Sequence, residues 1–452
     1  MSTTVIEGGY IATVDAAGTE HRTGHVVIED GRIAAVGQGP APAALREDAT
    51  IVDASGCLVT PGLVNTHNHL YQWLTRGYAQ DAILFDWLTT LYPLWARIDA
   101  DLTREGAAGG MAVLARSGCT TVGDHHYVFP QGSGDIVGGL VEAAAEIGVR
   151  LHATRGSMDL GASQGGLPPD FAVETTDAAL RASHDAVERW HDASADSAVR
   201  IAIAPCSPFS VTADLLREAA VLARSLDVRL HTHASETAEE DAYCAEHFGM
   251  SPTAYLESLG WLGDDVWMAH AVRLDAPAIA RYAATGTGVA HCPSSNARLA
   301  AGIAPVRAML DAGVPVGLGV DGAASNESGQ LGVEIREAVL MGRLRTGADS
   351  LSVRDGLRMA TAGGARVLGR QDEIGSLEVG KLADIAVWWT GGVEHAGILD
   401  PVAALGLGAL PPLRRLLVGG RTVVEDDTVV TADEQRLAER VAVASRTLAE
   451  RA

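Results

Sequence analysis

Residues 58–69 read LVTPGLVNTHNH, an apolar run that ends in two histidines. The run has the length and the apolar content of a buried strand, and a helical pattern follows it. Seven further segments repeat this order of apolar run, polar residues and helical pattern. Eight such units are the number that closes a (β/α)8 barrel, so we predict an α/β fold of the TIM-barrel type. The runs are 58–66, 120–123, 150–154, 199–205, 228–232, 265–269, 288–290 and 314–320.

Chemically active side chains follow these runs where each strand is expected to end. A doubly wound parallel sheet is the alternative fold, because it also alternates strands with helices. In a barrel, however, the C-terminal ends of all strands meet at one face, where active sites lie. Scattered surface histidines would not line up in this way, since the chain has only 15. The residues at these ends are His67, His69, Asp124, His125, His126, Arg155, Cys206, His233, His270, His291 and Asp321.

Both ends of the chain are rich in short strands and turns. Residues 24–28 and 32–36 flank an EDG turn, which is a hairpin signal, and residues 383–389 and 416–424 have the same character. We therefore expect a small β-sandwich domain formed by both termini, residues 1–60 plus 374–452, with a closing helix near the end. The barrel would occupy residues 61–373.

The composition excludes several classes of protein. Lysine and arginine number 34 and aspartate and glutamate 57, so the net charge is −23, which argues against nucleic-acid and anionic-membrane partners. No apolar run reaches the about 18 residues of a membrane span, and the N-terminus lacks the basic and apolar regions of a signal peptide. Five scattered cysteines without CxxC spacing fit a reduced protein, so we expect a cytoplasmic location.

The histidine spacing indicates a metal site. His67 and His69 are two residues apart, so a strand would place both imidazoles on one face. His231 and His233 also share a face, and the spacing does not say which of them binds. We predict one divalent metal, with Zn²⁺ favoured by the nitrogen and oxygen ligands and Fe²⁺ also possible. The predicted ligands are His67, His69, one of His231 and His233, and Asp321.

Glu236 is a candidate for proton transfer. It lies three residues past His233, and a carboxyl group beside a metal-activated water can take and return a proton. The alternative is an ordinary carboxylate at a helix N-terminus. The chain's single lysine, Lys381, lies in a turn-like GKLAD segment, which disfavours lysine-based chemistry.

The motifs PGLVNTHNH (61–69), HTHASE (231–236) and GVDGAASN (319–326), together with His270, resemble the amidohydrolase superfamily. They are similar to its branch of guanine deaminases, S-adenosylhomocysteine deaminases and triazine hydrolases. The resemblance implies that His233 rather than His231 joins His67, His69 and Asp321 as a ligand of one metal. It also implies a catalytic set in which Glu236 shuttles the proton and His270 and Asp321 assist it. Two-metal relatives use a carboxylated lysine, which Lys381 cannot supply from outside the barrel strands.

A narrower resemblance links residues 154–158 (TRGSM), 204–210 (APCSPFS) and 291–296 (HCPSSN) to bacterial 8-oxoguanine deaminases. It implies metal-dependent hydrolysis of a purine-like heterocycle, 8-oxoguanine to urate and ammonia. The alternatives are a pterin deaminase acting on isoxanthopterin, an s-triazine hydrolase and, remotely, a scaffold without activity. A nucleic-acid base deaminase is disfavoured, because the HxE and PCxxC signature is missing. Relatives are commonly dimers or larger, which implies a homo-oligomer.

Five residues are expected to bind the substrate. Gln72, Arg155, Tyr127 and Cys206 offer donors and acceptors to the edge of a heterocycle, and Trp87 could stack on its face. Trp87 could equally be a core residue and Cys206 a small lining residue. His125 and His126 either support the site or are hydrogen-bonded within the barrel.

Overall fold

The computed structural model describes residues 3–451. Eight parallel strands close into a barrel, in which the first strand pairs with both the second and the eighth. The predicted (β/α)8 barrel is therefore confirmed. In chain order, the barrel strands are Leu63–Asn65, Cys119–His126, Arg150–Ser157, Val199–Pro205, Leu230–Ala234, Val266–His270, Gly288–His291 and Val316–Leu318.

Helices cover the outside of the barrel. Many begin at a side chain that caps the first turn, as Asp99 does when it accepts a hydrogen bond from the Leu102 amide. None of the helices within residues 3–451 is long and apolar enough to span a bilayer. The α-helices are Ala43–Arg46, Leu84–Trp95, Ala100–Arg116, Ile136–Ile147, Thr176–Trp190, Ala213–Ser225, Ala238–Phe248, Pro252–Ser258, Ala276–Thr285, Pro293–Arg298, Val306–Ala312, Leu331–Thr346, Val353–Arg358, Gly364–Val367, Pro401–Leu407 and Glu434–Arg451.

Two sheets stack beside the barrel and enclose a second core, as the predicted β-sandwich requires. The four-stranded sheet contains, in spatial order, Arg32–Gln38, Gly24–Glu29, Thr3–Glu7 and Thr50–Asp53. The seven-stranded sheet contains Thr428–Val429, Arg421–Glu425, Leu413–Val418, Ile385–Trp389, Cys57–Pro61, Tyr10–Ala12 and Glu20–His21. Both chain ends contribute strands, and apolar residues of the two sheets, among them Ile6, Val26, Val59 and Ile385, form one cluster.

The apolar run 58–66 is one strand in the sequence prediction but two in the structure. Residues Cys57–Pro61 belong to the seven-stranded sheet, and Leu63–Asn65 to the barrel. The break falls at Pro61-Gly62, because proline lacks an amide hydrogen and glycine permits a close approach. A Cβ atom at Gly62 would lie 2.3 Å from Thr120 Cγ2. This short connection carries the chain directly from the sandwich into the active-site strand.

The last helix, Glu434–Arg451, packs against the barrel rather than the sandwich. It contacts helix Ala100–Arg116, and Arg440 forms ion pairs with Glu105 and Glu146 at 2.9 and 2.7 Å. The C-terminal segment therefore crosses the sandwich and returns to the barrel wall. The domain division at residues 60/61 and 373/374 stays a proposal.

Candidate active site

Hydrogen bonds fix the tautomer of His67 at the end of the first barrel strand. The ring of His231 donates its Nδ1–H to the carbonyl oxygen of Trp267 at 2.9 Å, which leaves its Nε2 as an acceptor. His67 donates its Nδ1–H to that nitrogen at 2.8 Å. The Nε2 atom of His67 is buried and has no hydrogen-bond partner in the structure, so its lone pair is available to a metal.

His69 and His233 are held in the same way. The Nδ1–H of His69 is donated to the His125 carbonyl at 2.6 Å, and that of His233 to the Cys206 carbonyl at 2.7 Å. Their Nε2 atoms then face each other at 3.1 Å. Burial, together with the neighbouring imidazole of His67, lowers the pKa of His69 to about 3, so this imidazole is neutral, as a ligand must be.

Asp321 completes the group. Its Oδ1 lies 3.3 Å from the Nε2 atoms of both His67 and His69. Its Oδ2 accepts a hydrogen bond from the Ser295 hydroxyl at 2.6 Å. Burial opposes the charge, yet the close imidazoles of His67, His270 and His69 hold the pKa of Asp321 well below its usual range. The carboxylate is therefore ionised at neutral pH.

These donors fit a divalent metal. Three neutral imidazole nitrogens and one carboxylate oxygen converge on one buried point, a donor set that suits zinc. The ligand atoms of His67, His270 and Asp321 lie within 4.8 Å of one another, and so do those of His67, His125 and His233. His231 is an outer partner in this geometry, which separates the two histidines that the spacing left equivalent.

Glu236 and His270 form a pair beside the predicted metal ligands. His270 donates its Nδ1–H to Asn296 Oδ1 at 3.1 Å, which leaves its Nε2 3.6 Å from Glu236 Oε2 and 3.9 Å from Asp321 Oδ2. Burial raises the pKa of Glu236 well above its usual range, and the charges of Asp321 and Glu240 add to this. Burial lowers the pKa of His270 to about 4. The pair thus combines a carboxyl group that readily holds a proton with a neutral imidazole.

A small cavity opens above these groups. Four of the five predicted substrate-binding residues line it, namely Gln72, Tyr127, Cys206 and Trp87. Both amide atoms of Gln72 are buried and have no hydrogen-bond partner in the structure. The side chain fits because residue 322 is glycine, where a Cβ atom would lie 1.8 Å from Gln72 Oε1.

Arg155 does not line this cavity. Its guanidinium forms two hydrogen bonds to the carboxylate of Glu174, at 2.8 and 2.7 Å, and stacks 3.6 Å from the ring centroid of Phe129. It faces a separate cleft on the barrel flank, between the loop after the second strand and helix Thr176–Trp190. The strand-end position of Arg155 in the sequence gave no indication of this partner.

Several residues that shape the site were not predicted. Leu84, Leu88 and Tyr92 of helix Leu84–Trp95 line the cavity, as do Phe209 and Leu299. The apolar spacing along residues 84–95 indicates an amphipathic helix, but it does not say that the buried face meets a cavity. The sequence left the roles of His125 and His126 undecided. In the structure His125 is hydrogen-bonded to the Ala204 carbonyl at 3.0 Å, and His126 is hydrogen-bonded to the Val128 carbonyl at 2.8 Å.

A (β/α)8 barrel whose mouth holds a cluster of imidazoles, a carboxylate and a buried Glu–His pair is typical of metal-dependent hydrolases. The chain belongs to the amidohydrolase family, whose profile matches residues 58–415. It is a hydrolase that acts on carbon–nitrogen bonds.

Three relatives illustrate this membership. The 8-oxoguanine deaminase of Pseudomonas aeruginosa is 44% identical, over 94% of this chain and 95% of its own. An isoxanthopterin deaminase from an unknown prokaryotic organism is 41% identical over 87% and 86%. The atrazine chlorohydrolase of Arthrobacter aurescens TC1, solved as a complex with zinc, superposes with a TM-score of 0.92 at 33% identity, over 98% of this chain and 100% of that one.

Proposed function

We propose that the protein is a zinc-dependent hydrolytic deaminase that converts 8-oxoguanine and water to urate and ammonia. The observation that carries this proposal is that one small cavity is lined both by Glu236 and the ligands His69, His233 and Asp321 and by the unpartnered amide of Gln72. A polar heterocycle in this cavity would satisfy the amide and lie against the proton-transfer pair. The similarity to the 8-oxoguanine deaminase of Pseudomonas aeruginosa supports this substrate.

The metal would be held by His67, His69, His233 and Asp321, one ion per chain. Zinc is supported by the donor set and by the zinc-bound structural relative. A bound divalent ion supplies Lewis acidity, which lowers the pKa of water from 15.7 to about 7. Asp321 and His270 would orient the water, since both have an unshared electron pair on the cavity side.

Glu236 would move the protons. Its carboxylate takes a proton from the attacking water as the oxygen bonds to the ring carbon that bears the amine. It then gives that proton to the adjacent ring nitrogen. The remaining hydrogen of the added water passes to the amine as the new carbonyl forms, so that the carbon–nitrogen bond breaks and ammonia leaves. Burial raises the pKa of Glu236 well above its usual range, which favours a carboxyl group that accepts a proton and holds it until the ring nitrogen takes it.

Four residues of the predicted set would bind the heterocycle. Gln72 offers both a donor and an acceptor, and Tyr127 and Cys206 lie beside His233. The indole N–H of Trp87 is donated to the Ala324 carbonyl at 3.2 Å, so its ring face remains for stacking. Arg155 is not part of this proposal, because its guanidinium already binds Glu174.

A pterin such as isoxanthopterin is a second candidate substrate. It is also a flat, amino-substituted bicyclic ring, and the similarity to an isoxanthopterin deaminase is nearly as high. An s-triazine is a third, supported by the atrazine chlorohydrolase structure. All three would use the same metal ligands and the same proton route.

We also propose a cytoplasmic homo-oligomer without nucleic-acid or membrane partners. The net charge of −23 supports the lack of polyanionic partners, and the five cysteines are all free and buried within residues 3–451. Size-exclusion chromatography with light scattering would test the oligomeric state.

The deciding experiment is a substrate panel on zinc-loaded protein. Ammonia release and urate absorbance are followed with 8-oxoguanine, and ammonia alone with guanine, isoxanthopterin and an s-triazine. Selective urate formation is expected. Ammonia from another heterocycle but not from 8-oxoguanine would overturn the substrate while keeping the deaminase chemistry. Removal of the metal with a chelator should abolish turnover, and zinc should restore it.

A further inference from the structure

We propose that Glu240 is a positioning residue that holds Glu236 in place for proton transfer by binding the backbone of the turn that carries it. This inference rests on the proposed function, because it takes Glu236 as the proton-transfer group. Glu240 is fully buried and does not line the cavity, so it does not touch the substrate.

Both oxygens of Glu240 bind the catalytic turn. Oε1 accepts the amide hydrogen of Ser235 at 2.9 Å, and Oε2 accepts that of Glu236 at 2.7 Å. These two amides directly follow His233 and Ala234 at the end of the fifth barrel strand. Two short hydrogen bonds to one rigid side chain fix the direction in which the Glu236 side chain leaves the backbone.

The arrangement differs from ordinary helix capping. Helix Ala238–Phe248 begins after Thr237, whose hydroxyl accepts the Glu240 amide at 3.4 Å. A glutamate at this third helical position normally bonds back to the amide of the capping residue. Glu240 instead extends past Thr237 to the two preceding amides. Its carboxylate therefore serves the catalytic turn rather than the start of the helix.

The turn needs this support because its backbone is strained. Ser235 adopts a left-handed conformation with φ of +55°, which costs a residue other than glycine about 1 kcal/mol. Such a conformation persists only where surrounding contacts enforce it. Two of these contacts come from Glu240, and a third is the hydrogen bond from the Arg273 amide to the Ser235 carbonyl at 2.9 Å.

A carboxylate is required because it offers two acceptors. Glutamine at this position would accept one amide hydrogen and direct its own N–H₂ group against the other. No arginine or lysine within residues 3–451 forms a salt bridge with Glu240, so it does not serve as an ion-pair partner. The side chain has no evident task other than binding the two amides.

The test compares Glu240→Gln with Thr237→Ala in zinc-loaded protein. Thr237→Ala weakens the same helix start and leaves both turn amides bonded. We expect Glu240→Gln to lower kcat about 100-fold while KM changes less than about threefold and zinc content stays at the wild-type value. Thr237→Ala should lower Tm but keep kcat. Equal losses of kcat in both variants would overturn the proposal, since a disordered helix start would then explain them.

A second readout does not depend on turnover. Hydrogen exchange of the Ser235 and Glu236 amides should speed up in Glu240→Gln and not in Thr237→Ala, which disturbs only the Glu240 amide at the start of the helix. Faster exchange with a wild type that is inactive on every heterocycle would keep the positioning role and reject the proposed function. Unchanged exchange together with unchanged kcat would reject the positioning role alone. If Glu240→Gln does not fold, Glu240→Asp, which can reach only one amide, should show the same pattern to a smaller degree.

Discussion

The two ends of the barrel hold buried carboxylates in opposite ways. At the C-terminal mouth, Asp124, Glu240 and Glu334 are fully buried, and burial raises the pKa of each to about 7. Within residues 3–451 none of them forms a salt bridge with arginine or lysine. Their partners are backbone amides and one side-chain amide, at 2.7 to 3.1 Å.

At the N-terminal end, the buried carboxylate of Asp384 and the partly buried carboxylate of Glu373 are paired with arginines. Arg150 bonds both oxygens of Asp384, at 3.0 and 3.3 Å, and so connects the third barrel strand to the sandwich. Glu373 receives Arg200 at 2.6 Å and Arg370 at 2.7 Å. These geometries are those of strong, charge-assisted hydrogen bonds.

The difference follows from what each end has to bind. A guanidinium beside the mouth would repel a divalent metal and lower the pKa of Glu236, which has to hold a proton in the proposed reaction. Backbone amides can orient the catalytic turns without adding a full positive charge. The opposite end has no such restriction, so ion pairs can join the barrel to its second domain there.

The largest expected effect is that of Glu236→Gln, at the mouth. Glutamine keeps the shape but cannot transfer the proton, so kcat should fall about a thousandfold, while zinc content and Tm change little. Single-turnover rates and metal analysis measure this. Near-normal turnover with zinc bound would show that Glu236 does not transfer the proton.

At the other end, Arg150→Gln should cost about 3 kcal/mol in the free energy of unfolding. Asp384 would be left buried without its cation, whereas kcat at a temperature where the protein is folded should stay at the wild-type value. Urea denaturation measures the loss. Arg217→Gln, which breaks an exposed pair with Asp214, is the control and should cost less than about 0.5 kcal/mol. A loss of kcat in Arg150→Gln with an unchanged free energy of unfolding would contradict a purely structural role for this ion pair.

The sequence predicts the mouth better than the opposite end. Histidines that follow apolar runs predict both the barrel and the proposed metal ligands, because the two-residue period of a strand fixes which side chains share a face. The same period left His231 and His233 equivalent, and only their hydrogen bonds in the folded barrel distinguish a ligand from its outer partner. The ion pair of Arg150 with Asp384 joins residues 234 positions apart, which no local pattern indicates.

The sequence also predicts only part of the set of residues that line the cavity. Gln72 and Tyr127 follow strand ends closely, so the prediction reached them, but Leu84 and Tyr92 come from a helix that folds back over the mouth. Arg155 lies near a strand end, as the predicted substrate-binding residues should, but it does not line the cavity. A strand end places a side chain near the mouth, yet the acceptor that captures it, Glu174, comes from the following loop.

The buried carboxyl group of Glu334, at the mouth, should make the free energy of unfolding depend on pH. Burial raises the pKa of its carboxyl to about 7, against 4.5 for the unburied group, so the folded state binds the proton more tightly. This group therefore stabilises the fold fully below about pH 4.5, and the stabilisation is lost as the pH rises through about 7. The hydrogen bonds from Ser294 and Asn326 lower the pKa, and the nearby charge of Glu337 raises it.

Glu334→Gln is neutral at every pH and should remove this dependence. Between pH 5 and pH 8, the free energy of unfolding of the variant relative to that of the wild type should increase by on the order of 2–3 kcal/mol. Urea denaturation of both proteins at the two pH values measures the gain. The exposed Glu188→Gln is the control, and parallel pH profiles for Glu334→Gln and wild type would contradict the prediction.

The smallest expected effect tests the ion pair of Arg155 with Glu174 on the mouth side of the barrel. Arg155 lies near the end of the third barrel strand, Arg150–Ser157, yet its bidentate bond to Glu174 resembles the pairs at the opposite end. If Arg155 instead bound the substrate, Arg155→Gln would lose a charge-assisted hydrogen bond and lower kcat/KM tens- to a hundredfold. The structure predicts a change below about threefold in kcat/KM, with the loss appearing in Tm. Glu174→Gln is the matched variant, because it removes the same pair from the other side and should shift Tm alike. A large loss of kcat/KM in Arg155→Gln, without the same loss in Glu174→Gln, would show that Arg155 binds the substrate.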